Sequence, residues 1–125
     1  MVKREEVRYK IMQDSPLITK SKQFALRIIK VCNQIKTDKK ETIITNQLVR
    51  SGTSIGANIR EAFFAHGKAD FIAKLQIALK ECSESEYWIE LLIESGYYDD
   101  KTLLVECTEI KKILISSVNT AKSNK

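Results

Sequence analysis

The chain has 125 residues, of which 43% are hydrophobic and 30% charged, a balance typical of one folded domain and not of a disordered chain. One proline and four glycines are too few for the many turns of an all-β sandwich or barrel. The net charge of +5 is unevenly spread: residues 1–40 carry +7, residues 41–80 carry +2 and residues 81–125 carry −4. This gradient fits either solvated helix faces or a surface that binds polyanions.

Neither an export signal nor a membrane anchor is expected from the sequence. The charged N-terminus is not followed by an apolar stretch, and no apolar run approaches the ~20 residues that a membrane span needs. The three cysteines, Cys32, Cys82 and Cys107, have no C-x-x-C spacing, so we expect small buried hydrophobes and neither a disulfide framework nor a zinc site. We therefore expect a cytoplasmic protein without a membrane partner.

Apolar residues recur at helical spacing along most of the chain. In the third segment, for example, Phe71, Leu75, Ala78 and Cys82 begin a row whose steps alternate between four and three. The pattern predicts helices over roughly 16–36, 41–65, 68–95 and 100–121, with a possible short extra helix over residues 3–13. Short connections between long helices predict an all-α, up-down-up-down antiparallel four-helix bundle that forms a single domain over residues 1–125.

Residues at the predicted helix ends have the types expected of caps. Ser15-Pro16 is a typical helix start, and Asp38 with Glu41 predicts a capping pair for the second helix. Gly67 and Gly96 are each expected in the left-handed conformation that ends a helix. Asp99 or Asp100 is expected to cap the fourth helix.

The second predicted helix contains an unusual stretch, Ser51–Asn58, in which six of the eight residues are small. Gly52 and Gly56 each cost a helix ~1 kcal/mol relative to alanine, so we predict that they let a neighbouring helix approach closely. A second contact surface, such as one for another subunit, is indicated by residues that point away from the core: Thr53, Ala57 and Phe64.

Two polar residues near the core stripe of this helix have a predicted structural role. Asn58 lies on the flank of the stripe, and Glu61 lies one turn further on. A half-buried asparagine usually fixes helix register through a side-chain hydrogen bond, and this interpretation is favoured over a binding role. Ser54, Gly52 and Gly56 are assigned to helix packing with them.

No motif in the sequence supports catalysis. The stretch Gly52–Gly56 matches G-x-S-x-G, but that motif works on a strand-to-helix turn, and no strand pattern precedes it. The phosphate-loop spacings are absent, and His66 has no second histidine or nearby cysteine with which to bind a metal. The glutamates between Glu81 and Glu94 include no Glu-x-x-His motif. We predict a protein that is not an enzyme and has no catalytic residue, metal or cofactor.

Several basic residues fall on predicted outer faces and could neutralise phosphates without reading bases. No recognition-helix, RNP-like or arginine-rich motif accompanies them. The predicted nucleic-acid-binding residues are, on the first helix, Lys20, Arg27 and Lys30, on the second, Arg50 and Arg60, and on the third, Lys68 and Lys74.

The stretch from Gln47 to Ala62 resembles the four-helix-bundle proteins encoded in 23S rRNA intervening sequences. Two departures from that pattern are Gly56, where proline is usual, and Ala62, where glycine is usual, so a less kinked and longer second helix is expected. The gapless match extends from residue 47 to about residue 100 and can be extended to 15–121. Its most specific matches are Ser54, Ile55, Ala57, Asn58, Ile59 and Glu61.

The resemblance implies a four-helix bundle without known catalytic activity, often assembled as a ring of five subunits. The chain is also similar to the accessory protein of diversity-generating retroelements, a basic pentameric bundle that binds nucleic acid. We therefore predict a homo-oligomer, most simply a pentamer, that serves as an accessory or scaffold protein for RNA or DNA. The alternative is a module whose partner is another protein and which has no nucleic-acid role.

Overall fold

The computed structural model describes residues 15–124 and contains four helices. They are α1 (Pro16–Lys39), α2 (Ile43–Phe63), α3 (Lys68–Glu94) and α4 (Thr102–Ser123). Each boundary lies within three residues of the predicted one. The possible helix over residues 3–13 lies outside the described residues.

The four helices pack in chain order around one core. α1 contacts α2, α2 contacts α3, α3 contacts α4, and α4 returns to contact α1. The interface between α2 and α3 is the most extensive, and that between α1 and α4 the least. The short connections make sequential helices antiparallel, and residues 15–124 contain no strand. The predicted all-α four-helix bundle is therefore confirmed.

The core is built from apolar side chains, most of them aliphatic, that all four helices contribute. Burying one such side chain completely contributes about 1.5–3 kcal/mol to stability, so the core is the main source of stability. The steps of three and four that predicted the helices also select these residues. Fully buried examples are Phe24 and Ile28 on α1, Leu48 and Ile55 on α2, Leu75 and Ile89 on α3, and Leu103 and Leu114 on α4.

One of the two predicted glycine caps is wrong. Gly96, after α3, has the expected left-handed backbone with φ of 82°. Gly67 instead has φ of −171° and precedes the first residue of α3. The reason is that α2 ends at Phe63. Beyond it, hydrogen bonds between residues three apart replace those between residues four apart: the Phe64 N–H donates to the Glu61 carbonyl at 3.1 Å. Alanine at position 62, where the resembled proteins usually have glycine, therefore does not lengthen α2 toward Gly67.

The start of α2 is capped by one carboxylate rather than by the predicted pair with Asp38. The Glu41 side chain accepts hydrogen bonds from the backbone N–H groups of Ile44, at 2.8 Å, and Thr45, at 2.9 Å. These groups have no partner within the helix, so the cap satisfies two of its free donors. At α4 the prediction of an aspartate cap is correct, since Asp100 accepts from the Thr102 N–H at 3.0 Å.

The glycines of α2 lie where α1 approaches most closely. A Cβ atom added to Gly52 would lie 3.2 Å from two side-chain carbons of Ile28. A Cβ added to Gly56 would lie 3.3 Å from the Ser21 hydroxyl oxygen. Both distances are shorter than ordinary van der Waals contact, so a larger residue fits only where the facing side chain of α1 can move.

We expect the two glycines to respond differently to alanine. Alanine gains about 1 kcal/mol of helix propensity at either position. At Gly56 the short hydroxyl of Ser21 can rotate away, so Gly56→Ala should raise the melting temperature. At Gly52 the buried, β-branched Ile28 cannot move without repacking, so Gly52→Ala should lower stability by about 1 kcal/mol. Thermal unfolding followed by circular dichroism measures both, and equal rises would contradict the packing at Gly52.

Removing the charge of the α2 cap should destabilise the protein in a pH-dependent way. Partial burial acts to raise the pKa of Glu41, but the hydrogen bonds from Ile44 and Thr45 outweigh it and lower the pKa below its ordinary value. The charged form thus stabilises the fold above the ordinary pKa, and this contribution is lost as pH falls through the lowered value. Glu41→Gln should cost about 1 kcal/mol at pH 7.

The free energies of unfolding of the wild type and of Glu41→Gln should therefore converge in acid. Urea unfolding at pH 7 and at acidic pH values measures this difference. Glu90→Gln, at an exposed position within α3, is the matched control and should show no such convergence. A Glu41→Gln deficit that stays constant with pH would contradict the charged cap.

Candidate nucleic-acid interface

Antiparallel packing separates the charges of the bundle along its long axis. One end contains the start of α1, the end of α2, the start of α3 and the end of α4, within residues 15–25, 58–75 and 116–124. This end carries six cations and two carboxylates, Glu61 and Asp70, which gives a net charge of +4. We call it the basic end, and its cations are Lys20, Lys22, Arg60, Lys68, Lys74 and Lys122.

The opposite end is acidic. Residues 33–45 and 86–103 carry four lysines and seven carboxylates, a net charge of −3. A cavity of about 430 Å³ lies here between the last turns of α1 and the connection from α3 to α4, and it includes Asp38, Asp99 and Asp100 in its lining. We call this region the acidic end. A polyanion is therefore attracted to one end of the molecule and repelled by the other.

Arg27, one of the predicted phosphate-binding residues, is held by an ion-pair network between α1 and α4. Its guanidinium donates to Glu106 and to Asp100, the latter at 2.9 Å, and to the Thr102 hydroxyl at 2.8 Å. Partial burial acts to lower the pKa of Arg27, but hydrogen bonds to Tyr98 and Glu106 outweigh it and raise the pKa. The arginine therefore joins two helices and has little capacity left for a phosphate.

Arg50 is also paired within the molecule. Its guanidinium reaches from α2 to Glu84 on α3 and to Glu81 at 3.3 Å. Glu84 in turn accepts from the Trp88 indole N–H at 2.8 Å. On the other side of α3, Lys111 of α4 donates to Glu86 at 2.8 Å, which raises the pKa of Lys111. The glutamates of α3 thus pair with both neighbouring helices.

The other predicted basic residues are less engaged. Lys20 approaches Glu109 only to 3.8 Å, and both side chains are about half exposed. Within residues 15–124, no ion pair involves Lys30, Arg60, Lys68 or Lys74. Four of the seven predicted residues lie at the basic end: Lys20, Arg60, Lys68 and Lys74. Lys22 and Lys122 join them, and sequence reasoning missed both because only the topology brings them to this end.

An apolar groove runs along the outside of α1 and α2. It has a volume of about 490 Å³ and is lined by small residues that include Ala25, Thr53 and Ala57. Leu26 of α1, nearby in sequence, is 59% exposed. Lys22 and Arg60 also line the groove, which joins it to the basic end. The outer face of α2 that the sequence singled out is therefore one wall of a groove.

The polar residues of the small stretch bond mainly within α2. The Asn58 amide donates to the Ser54 carbonyl at 2.9 Å, so its hydrogen bond lies within one helix and does not cross to a neighbour. Glu61 is exposed at the groove. A buried pair of hydroxyls does connect two helices: Ser85 of α3 donates to Ser51 of α2 at 2.8 Å. The sequence feature that could have predicted this contact is Ser85, a serine at a core position of α3.

The cysteines are buried and reduced. Burial raises the pKa of Cys32 to about 11. Cys82 and Cys107 meet between α3 and α4 with their sulfurs 3.6 Å apart, and this contact, with burial, raises the pKa of Cys107. The part of the chain that the structure describes contains no cluster of three acidic, cysteine or histidine residues that could hold a metal. None of its four helices is long and apolar enough to cross a membrane.

The chain matches a protein-family model and solved structures. The family model described as 23S rRNA-intervening sequence protein matches residues 13–116. The crystal structure of a protein of unknown function from the S23 ribosomal protein family of Bacteroides thetaiotaomicron is 48% identical in sequence, with a TM-score of 0.80. That alignment covers 82% of this chain and 97% of the other. No curated protein matches this chain.

Proposed function

Because the chain belongs to the 23S rRNA-intervening sequence protein family, whose matched solved structure has no known function, we propose a function from the chain's own surface. The protein is a non-enzymatic helical scaffold that binds the phosphate backbone of RNA or DNA through its basic end. It acts in the cytoplasm, in keeping with its free, buried cysteines.

The net charge of +4 at the basic end is the observation that carries this proposal. Six cations from all four helices converge there, and the glutamates of α3 are paired with other helices or lie at the far end. Arg60 and Lys68 are exposed and have no ion-pair partner among residues 15–124, so they can exchange their counterions for phosphates. Contacts to phosphates do not distinguish bases, so binding is independent of sequence.

Assembly of several copies strengthens this weak, repeated contact. The apolar groove between α1 and α2, with exposed Leu26 beside it, is suited to a contact with a second copy. In a cyclic ring one axis relates all the subunits, so the basic ends repeat at equivalent positions around the ring. A polyanion that contacts several of them at once gains avidity. The proposed assembly is a homo-oligomer, and the family resemblance favours five subunits.

A second candidate function is a protein-interaction module. The specific observation in its favour is the exposed apolar surface along α1, where the aliphatic side chains of Leu26 and Ile29 are exposed to water. In that case the groove receives a different protein and the basic end serves solubility. The two candidates differ in whether nucleic acid binds at low salt.

Nucleic-acid binding should depend on which end of the bundle loses its charges. Lys22→Glu combined with Lys68→Glu should abolish most binding, because both lysines belong to the basic end. Lys39→Glu combined with Lys101→Glu is the matched control: it changes the net charge equally, at exposed lysines of the acidic end. Fluorescence anisotropy with labelled RNA and DNA at low and physiological salt measures the affinities.

For the wild type, we expect affinity to fall steeply with salt and to differ little between sequences. The double variant at the basic end should also show a flatter salt dependence than the control. Equal losses in the two variants would contradict a localised site. Absence of wild-type binding at low salt would overturn the proposed function and favour the protein-interaction module.

Light scattering should report a multiple of the subunit mass of 14.3 kDa, most simply five. Ala57→Arg places a long charged side chain in the groove between α1 and α2, so it should dissociate the assembly. Ala73→Arg, at an alanine on α3 that is also exposed, is the control and should leave the mass unchanged. A monomeric wild type at micromolar concentration would refute the assembly.

A further inference from the structure

Cys82 of α3 and Cys107 of α4 form a pair of thiols in the core. Their sulfurs are 3.6 Å apart, and both side chains are fully buried. Each thiol is also placed to donate to the backbone carbonyl of the other residue, Cys82 at 3.2 Å and Cys107 at 3.4 Å. The backbones of α3 and α4 are therefore close together at this level, and the two cysteines face each other directly.

The positions of the two sulfurs suit a disulfide bond. Such a bond is about 2.0 Å long, so each sulfur needs to move by less than about 1 Å. A small rotation about the Cα–Cβ bond supplies that movement and leaves the helices in place. Within residues 15–124, Cys32 of α1 has no second sulfur at a comparable distance. Only one of the three possible pairings is therefore prepared by the fold.

A polar bridge between α3 and α4 covers the thiol pair. Glu86 follows Cys82 by one turn of α3, and Lys111 follows Cys107 by one turn of α4. Because side chains lean toward the N-terminus of their own helix, both reach back to the level of the cysteines. There the Glu86 carboxylate accepts hydrogen bonds from Lys111, at 2.8 Å, and from Thr108, at 3.0 Å. Lys111 is partly exposed, so the thiols lie directly beneath a surface ion pair.

We propose that Cys82 and Cys107 are an oxidation site, at which a small peroxide forms a reversible disulfide between α3 and α4. The depth of the pair selects the oxidant. Hydrogen peroxide is uncharged and little larger than water, so a local opening beside the bridge of Glu86 and Lys111 admits it. A bulky disulfide reagent needs more room at the sulfur with which it reacts. The inference is independent of nucleic-acid binding.

The reaction takes place in two steps. One cysteine thiolate attacks a peroxide oxygen, which breaks the O–O bond, gives a sulfenic acid and releases water once the proton is counted. The second sulfur then attacks the sulfenic sulfur, so the S–S bond forms and the oxygen leaves as a second water. Two thiols are oxidised and one peroxide is reduced to two waters. The contact with Cys82, together with burial, raises the pKa of Cys107, so few thiolates are present and the reaction is slow.

Mass spectrometry of the folded protein after treatment with excess hydrogen peroxide tests the inference. The wild type should lose two hydrogen atoms, and a digest without reductant should contain the peptides of Cys82 and Cys107 joined together. Cys32→Ser is the matched control, because it removes a buried thiol but keeps the pair, and it should give the same cross-link. Cys82→Ser and Cys107→Ser should form no disulfide within the chain. Treatment in urea should instead give mixed pairings.

The cross-link should also make the protein harder to unfold. It joins residues that are 25 apart in sequence and so restricts the unfolded chain. The oxidised wild type should melt roughly 5–15 °C above the reduced protein, and dithiothreitol should reverse this rise. Circular dichroism measures both melting temperatures.

Four results would overturn the inference. Three concern the product: oxygen added to the cysteines without a cross-link, a disulfide that involves Cys32, or a disulfide between two molecules. The fourth is an oxidised protein that melts no higher than the reduced one, because a bond that fits the native helices must restrict the unfolded chain. If a serine variant fails to fold, the peptide map of the wild type and of Cys32→Ser decides the outcome.

Discussion

Small side chains on α2 determine how closely the other helices can pack. Ser51 and Gly52 are adjacent in sequence and point about 100° apart around the helix. Ser51 bonds to the Ser85 hydroxyl of α3, and Gly52 meets Ile28 of α1. These two adjacent residues of α2 thus determine how closely both α1 and α3 can pack against it. α4 then closes the core against α1 and α3, so the close contacts of α2 set the dimensions of the bundle.

The antiparallel arrangement that follows also decides what the charges do. A basic first third and an acidic last third could have neutralised each other along their whole length. Instead, Arg27 and Arg50 pair with carboxylates of α3, of α4 and of the connection between them, and so join neighbouring helices. The surplus of cations is then at one end and the surplus of carboxylates at the other. The two arginines therefore contribute to the fold, whereas Arg60 and Lys68 have no ion pair within residues 15–124.

Periodicity was sufficient for the helices and their core, because a helix that buries one face repeats its apolar residues regularly. The boundaries and the Gly96 cap followed instead from the residue types at the helix ends. The surface contacts could not be predicted in this way. Arg50 lies on the outer half of α2, but its long side chain reaches α3, and that reach depends on how two helices are rotated against each other. The conformation of Gly67 depended similarly on where α2 stopped. Lys22 and Lys122 were grouped only once the topology was known.

The length of the bundle gives its charge separation a further property. α3 has 27 residues and is therefore about 40 Å long. At an ionic strength of about 0.1 M, fields are screened over about 10 Å, so the two ends are several screening lengths apart. A chain of phosphates near one end is then insensitive to the other. At about 0.01 M the screening length grows to about 30 Å, and the carboxylates begin to oppose the approach. Dilute buffer thus makes the two ends act as one weak dipole, whereas salt near physiological strength lets each end act on its surroundings alone.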